Sequence, residues 1–491
     1  MLWYGSLFYF LFFCFSILFV FVFLKIFFSN ILNKFTFNYF YTHLILSFFL
    51  FVYFIVLIFS YLIYENFKSF SFYDLNHITF FDNFQILSLH NFFFLNYNLL
   101  NLYYFPFIYI FLIVTVLSVL FCMSYSYSET LSFILYVFFI LFFGYSLFFT
   151  NSFTLFFFFY EMLLIPSFFI LYKYAKTRRC VEAAYLMFFW TQFGALFLIF
   201  SFLYLFFITG ISTFYAISCN SFSQFEINFL FVCWLIGFGV KLPIWPFYGW
   251  LPKAHVEAST NFSIFLSGVL VKFAFFGLLK CLFTLQLEPT FYHVYPFLTI
   301  GIVDAAFKLF YQIDLKKLVA YSTVVEMHWL TICVLSGNSP LSLASFCMLI
   351  SHALLSTNSF LLVDAINRRF KTRLITEISG LNFLCPKLFL IILANSLIFL
   401  GFPGSIFFIA EFLFFSFSFD LFPVLAIFLL IILYLFAPTF FFRSWMNSMF
   451  GFSQFLLNKH FVDLTKKEFL IFSFFIFLMF WLGLTWQSFI F

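Results

Sequence analysis

The sequence predicts an all-α polytopic membrane protein with about fourteen transmembrane helices, and three observations carry that prediction. Of the 491 residues, 65% are hydrophobic and 8% are charged, whereas soluble domains are roughly a quarter charged. A soluble core of this size would have no polar coat. Apolar runs of about 20 residues, the length that crosses the hydrocarbon layer, recur along the chain. Finally, the lysines and arginines collect at alternate connections, as helices threading a membrane require.

Taken in order, the spans are expected at about 6–28, 43–64, 104–123, 131–149, 152–173, 183–208, 228–248, 260–282, 293–312, 318–335, 341–364, 387–416, 421–441 and 468–489. The first run shows no short apolar region followed by a small-residue cleavage site, so it reads as a span and not a cleaved leader. The polar connection 65–103 holds Asp74, His77, Asp82 and His90 and reads as an extramembrane loop or hairpin. Most of the 23 lysines and arginines lie in or beside the loops that follow odd-numbered spans. Only Lys68 and Lys280 lie at the opposite ends. An error of one span midway would destroy that asymmetry. The positive-inside rule then puts both termini on the other, non-basic side.

Composition also excludes some chemistry. The nine cysteines are scattered singly, from Cys14 to Cys385, whereas zinc and iron–sulfur sites need grouped thiolates. The eight histidines offer no pair spaced for haem. Phenylalanine, 102 of 491 residues, serves as generic lipid-facing filler and individually carries no mechanism.

The informative residues are those a lipid-facing helix should not contain. Within the spans lie Glu161, Lys241, Lys272, Asp304, Lys308, Glu326, His328, His352 and Glu411. A charge at a helix centre costs about 2.5–3.5 kcal/mol on insertion, and such groups face a bundle interior or water. Asp304 and Lys308 sit four apart and can neutralise each other on one helix face. His328 reads equally as a packing histidine or a functional one. Glu161 and Lys272 have no opposite charge within four residues, so each needs a partner from another helix. Burial favours the neutral form of a carboxyl or an amine, and an approaching opposite charge favours the ionised one. Conformation can therefore drive a proton along such a line.

Two spans contain breakers. Pro243 and Pro246 follow Lys241, and "GFPGS", Gly401–Ser405, precedes Glu411. Broken helices at corresponding places in two halves point to inverted repeats. We read span seven and span twelve as the broken members of two five-helix repeats, 131–282 and 293–441. They are preceded by 1–130, with its three spans, and followed by 442–491.

Motifs in residues 150–415 are recognisable. "FFFFYEMLLIPSFFIL", "KLPIWPFYGWLPKAHVEAS", "SGVLVKFAFFGLLK", "DLKKLVAYSTVVEM", "LISHALLSTNSFLL" and "GFPGSIFFIAEF" occur in the order found in a known family. They resemble the antiporter-like, proton-pumping membrane subunits of respiratory complex I (NADH:ubiquinone oxidoreductase), in their subunit-4 form. The resemblance implies that Glu161 is a switching carboxylate paired with Lys241, Lys272 a central relay lysine, His352 a link in the second repeat, and Glu411 the terminal acid. The family's relay histidine is replaced by Glu326, with His328 two residues later, and either can take its place. Tyr248 and Ser259 depart from the family's histidine and proline, and Asp304 and Lys308 have no family counterpart.

The resemblance further implies no cofactor in this chain. FMN, iron–sulfur clusters and ubiquinone would be bound by other subunits of the complex. Implied partners are neighbouring membrane-arm subunits, accessory subunits and lipids such as cardiolipin, with no nucleic acid. The implied site is the mitochondrial inner membrane, with basic loops in the matrix and both termini in the intermembrane space. Two other functions fit the same residues less well: a subunit of a cation/proton antiporter, and an assembly scaffold whose polar line is inert.

Overall fold

The computed structural model describes Phe111, Val114 and residues 127–174, 177–218, 220–284, 294–336, 339–450 and 462–485. Nearly all of them belong to one compact unit, Tyr103–Leu484. Predicted spans one and two, most of span three and the loop 65–103 lie outside the described residues.

In chain order the main helices are α1 (Tyr127–Phe149), α2 (Phe153–Lys173), α3 (Arg178–Thr209), α4 (Gln224–Lys241), α5 (Trp250–Glu257) and α6 (Thr260–Thr284). They continue as α7 (Tyr295–Phe310), α8 (Leu315–Leu335), α9 (Ser339–Phe370), α10 (Pro386–Phe399) and α11 (Ile406–Leu421). The last are α12 (Pro423–Leu430), α13 (Ala437–Met449) and α14 (Lys466–Leu484). A π-turn, Leu266–Leu270, interrupts α6, and a second, Ile431–Phe436, joins α12 to α13. Among the described residues the only extended pairings are isolated bridges, Ser152 with Thr213 and Asp314 with Leu374. The all-α polytopic class therefore holds. Seven helices (α2, α3, α4, α6, α8, α9 and α14) are long and apolar enough to cross a membrane, with shorter apolar stretches at Phe133–Phe148, Pro386–Phe399 and Pro423–Leu433. The described residues alone do not reach the expected count of fourteen.

Both predicted breaks are present, and one differs in detail. Helix α4 stops at Lys241, earlier than the predicted 248, because Pro243 and Pro246 supply no backbone N–H to continue the ladder. The chain then re-forms a helix as α5, so the W-L-P-K-A-H stretch is helical and not a loop. Span twelve divides into α10 and α11, where Gly401 and Gly404 take positive φ of 73° and 88°, a conformation open to glycine. Helix α9 runs to Phe370, past the predicted 364, supported by an Arg368–Asp364 ion pair one turn apart.

Local chemistry sets the helix starts. Ser223 and Glu226 form a reciprocal capping box at α4, and Thr465 and Glu468 do the same at α14; each pairing satisfies two otherwise orphan N–H groups. Ser259, which stands where the resembling family has proline, accepts the Phe262 N–H and caps α6. Asp314 caps α8 and Ser405 caps α11.

Burial separates interior helices from peripheral ones. In the central stretches of α6 and α8 94% of residues are buried, and in α9 all are, against 39% in α3. Helix α3 turns Phe189, Leu196, Phe200 and Phe207 outward, as a lipid-facing surface does. It packs on α4 through glycines: a Cβ at Gly194 would lie 2.8 Å from the Gly237 carbonyl oxygen, so only small residues allow this approach. We expect Gly194→Val to lower stability by about 1–3 kcal/mol through overpacking. The midpoint of thermal unfolding of the purified protein checks it, and an unshifted midpoint would remove the close-packing role.

Candidate functional site

The first ionisable group forms where α4 ends. Lys241 Nζ lies 3.5 Å from Glu161 Oε1 on α2, donates to the Tyr160 carbonyl at 3.2 Å, and sits 3.5 Å from the centroid of the Tyr160 ring. The second Glu161 oxygen accepts from Gln192 Nε2 on α3 at 3.0 Å. Both charged side chains are largely buried. A charge-assisted contact at full strength is about 2.7–2.9 Å long. The Lys241–Glu161 pair is looser than that, and the lysine has alternative partners in the Tyr160 carbonyl and ring. It can therefore open without leaving the ammonium unsolvated.

A cavity of about 40 Å³ lies beside this pair, lined in part by Tyr160, Ser167, Thr191, Lys241, Leu266 and Leu270. That volume is larger than the roughly 10–15 Å³ one water needs, and the cavity's mostly apolar wall offers Lys241, Ser167 and Thr191 as polar side chains. It reaches from Lys241 to the π-turn of α6. Such turns widen the helix to i→i+5 spacing and frequently mark functional sites.

The second group lies on the three interior helices. Lys272 on α6, Glu326 on α8 and His352 on α9 are all buried. Lys272 Nζ folds back to the Ser267 carbonyl inside the π-turn and lies in the electrostatic field of Glu326. Glu326 Oε2 meets His352 Nδ1. Of the two residues competing for the family's relay position, Glu326 is thus the one in contact with His352, whereas His328 turns to the break after α4. His328 Nε2 accepts the Trp245 N–H at 2.7 Å.

The third group surrounds Glu411 on α11, which is buried, with Oε2 unpaired among the described residues. Glu411 and Glu326 interact electrostatically. Buried Asn358 on α9 donates to Asn395 on α10 at 2.9 Å, and Asn395 donates to Ser359 at 2.9 Å. Buried amide groups of this kind can bind water without fixing a charge. Among the described residues no side-chain hydrogen bond links the three groups directly, so transfer between them would need water.

Several buried polar side chains were not singled out from the sequence. Gln192 bonds Glu161, and Asn358 and Asn395 form a buried amide pair between α9 and α10. Lys316, one residue into α8, is buried and donates to the Ala258 carbonyl at 2.5 Å. His255 is fully buried on α5, stacked on Phe360 at 4.7 Å, with neither ring nitrogen hydrogen-bonded among the described residues. Its position in the W-L-P-K-A-H run was the available signal. The expected Asp304–Lys308 pair forms at 2.8 Å, and Tyr248 joins it: Lys308 donates to the Tyr248 hydroxyl at 2.5 Å, and that hydroxyl bonds to Asp304.

Comparison with known proteins agrees with this arrangement. The family model described as "NADH:quinone oxidoreductase/Mrp antiporter, TM" matches residues 150–437. NADH-ubiquinone oxidoreductase chain 4 of Paramecium tetraurelia is 36% identical over 331 residues, covering 66% of this chain and 69% of that protein. Its counterpart in Chondrus crispus is 32% identical over 341 residues, covering 68% and 69%. Among solved structures, a chain of respiratory complex I from Thermus thermophilus superposes with a TM-score of 0.69 at 19% identity, covering 80% of this chain and 82% of that one. A chain of the Mrp complex from Dietzia sp. gives 0.69 at 14% identity, covering 79% and 81%. The two structural likenesses are equal and concern the fold alone. The matched stretch contains every charged group described above, from Glu161 to Glu411, and the chain belongs to the transmembrane family shared by NADH:quinone oxidoreductases and Mrp antiporters.

Proposed function

We propose that this chain is a proton-translocating membrane-arm subunit of an NADH–ubiquinone oxidoreductase, of the chain-4 type. The Lys241–Glu161 pair at the end of a broken helix carries the reading, because it is a buried charge pair that conformation can open and close. The names of the curated relatives support the choice of complex over an antiporter.

In this reading, opening the pair leaves Lys241 without its carboxylate. Burial then favours the neutral amine, and a proton leaves through the water-sized cavity toward the π-turn of α6. Lys272 receives it and passes it through Glu326 and His352, with Asn358 and Asn395 carrying water on toward Glu411. Closing the pair recharges Lys241. The succession α1–α6 and the succession α7–α13 act as two repeats: each has a bridge beside its second long helix, a break in its fourth and a π-turn in its fifth. Redox chemistry belongs to other subunits, which would hold FMN, iron–sulfur clusters and ubiquinone, and this chain contributes only proton-bearing side chains. The complex would sit in the mitochondrial inner membrane, with basic loops toward the matrix and both termini toward the intermembrane space. Neighbouring antiporter-like subunits, accessory subunits and lipids would cover the outward phenylalanines.

Purification of the chain in mild detergent tests the proposal. Flavin- and iron–sulfur-bearing subunits are expected to co-purify, with NADH oxidation linked to quinone. Partners free of flavin, with sodium-dependent transport, would replace this reading with a cation/proton antiporter.

A further inference from the structure

His328 occupies an unusual position: it is buried on α8 yet bonded to the backbone of a different, broken helix. Its Nδ1 lies 2.8 Å from the Val324 carbonyl oxygen one turn back, and its Nε2 lies 2.7 Å from the Trp245 nitrogen. A carbonyl only accepts and an amide N–H only donates, so the two contacts fix the tautomer. Nδ1 carries the proton, and Nε2 presents its lone pair. The ring is therefore neutral as placed. A second proton on Nε2 would set an N–H against the Trp245 N–H, and that hydrogen bond could not survive.

The bond falls where the backbone has fewest alternatives. Between Lys241 and Trp250, Pro243 and Pro246 have no N–H, and Ile244 and Phe247 are taken by turn bonds to Gly239 and Ile244. Trp245 finds its acceptor on α8. Gly301 on α7 makes room for the contact: a Cβ there would lie 2.8 Å from Trp245 Cβ and against the His328 ring.

We propose that His328 is a positioning residue whose neutral imidazole latches the broken helix by accepting the Trp245 N–H, and whose protonation on Nε2 releases that backbone beside Lys241. The proposal deepens the proton-translocation reading by linking a protonation on α8 to the break that carries Lys241. The hydrogen bond and its test stand without that reading. The titratable groups around the latch are Asp304 and Lys308 on α7, part-exposed and paired, and Tyr248 in the break, edge-on to the ring at 6.1 Å. Tyr321 lies on α8 itself in the field of Asp304 and Lys308. Glu326, earlier on α8, turns to His352 of α9 instead, and Arg443 of α13 lies over Phe310 at the far end of α7. The proton would come from the side of the part-exposed Asp304–Lys308 pair, with Tyr248 between that pair and the ring. The N–H bond then forms on Nε2, while Nδ1–H stays on Val324.

Deuterium exchange of the segment 242–249 in the intact complex, read by mass spectrometry and corrected for intrinsic exchange, tests the latch. In His328→Leu the Trp245 amide should exchange about tenfold faster or more, as an amide without its native acceptor does. Gly301→Ala, which wedges the two groups apart, should behave the same way. His328→Gln keeps an acceptor that cannot be protonated at ordinary pH, so exchange should stay slow and lose its dependence on pH. The parent should exchange faster as pH falls. A parent without that dependence, a leucine variant as slow as the parent, or a glutamine variant as fast as leucine would each overturn the latch. Failure here with Lys272 still required for pumping would overturn the latch alone, and slow, latched exchange in a complex that pumps no protons would overturn only the translocation reading.

Discussion

Lys272→Met in the assembled complex is expected to cut proton pumping per NADH by about tenfold or more, equivalent to some 1.4 kcal/mol or more on the transfer step, while the complex still assembles. The side chain is buried on a helix interior to the bundle, and its ammonium is held by one carbonyl of the π-turn. Methionine is similarly long and flexible, so it fills the same space. Replacing a buried charge by an apolar group of like size is often neutral or stabilising, so loss of function would not reflect loss of fold. What disappears is the only lysine facing Glu326 from α6, and with it the step between the cavity and the second half. Reconstituted vesicles containing a pH-sensitive dye, energised with NADH and quinone, measure it. Pumping per NADH equal to that of the parent, in an assembled complex, would remove Lys272 from the path.

Glu161→Gln is expected to be nearly as damaging, and for a different reason. Glutamine preserves shape and can still bond to Gln192, but Lys241 loses the charge that recharges it. Lys241→Met should cost a similar amount, and the double variant should be no worse than either single one, because both remove one switch. Such non-additivity is the signature of residues acting as a unit. Vesicle pumping in the three variants closes the cycle. Losses that multiply would mean the two residues serve separate steps.

How much of this was legible in the sequence follows from what each residue demands of its surroundings. Glu161 requires a partner from another helix, a demand its own neighbours leave open; the family resemblance, not desolvation, named Lys241 at the proline break as that partner. The breaks at Pro243 and at Gly401–Ser405 were legible because proline and glycine act through their own backbone. Lys272, by contrast, is satisfied by the Ser267 carbonyl in a π-turn that no residue pattern announces. Asn358 and Asn395 carry no charge and so raised no alarm among leucines and phenylalanines. Lys316 looked solvated because it adjoins a loop, yet α8 starts beneath Ala258 and buries it. The deeper reason is that the apolar residues of these helices are spread around every side. Such a helix does not say which side is inward, so only the single ionisable residues of α6, α8 and α9 set them apart from α3 as interior helices.

That distinction has an electrical consequence. Greasy outer helices around a charged axis act as the insulation on a cable. Two unit charges 10 Å apart interact by about 0.4 kcal/mol in water but about 1.7 kcal/mol at an effective dielectric constant near 20. Mobile ions cannot enter such a sheath to screen them. A charge displaced inside such a sheath acts on its neighbours along the line before any proton has travelled there. The phenylalanines of α3, individually interchangeable, together set how far that signal reaches.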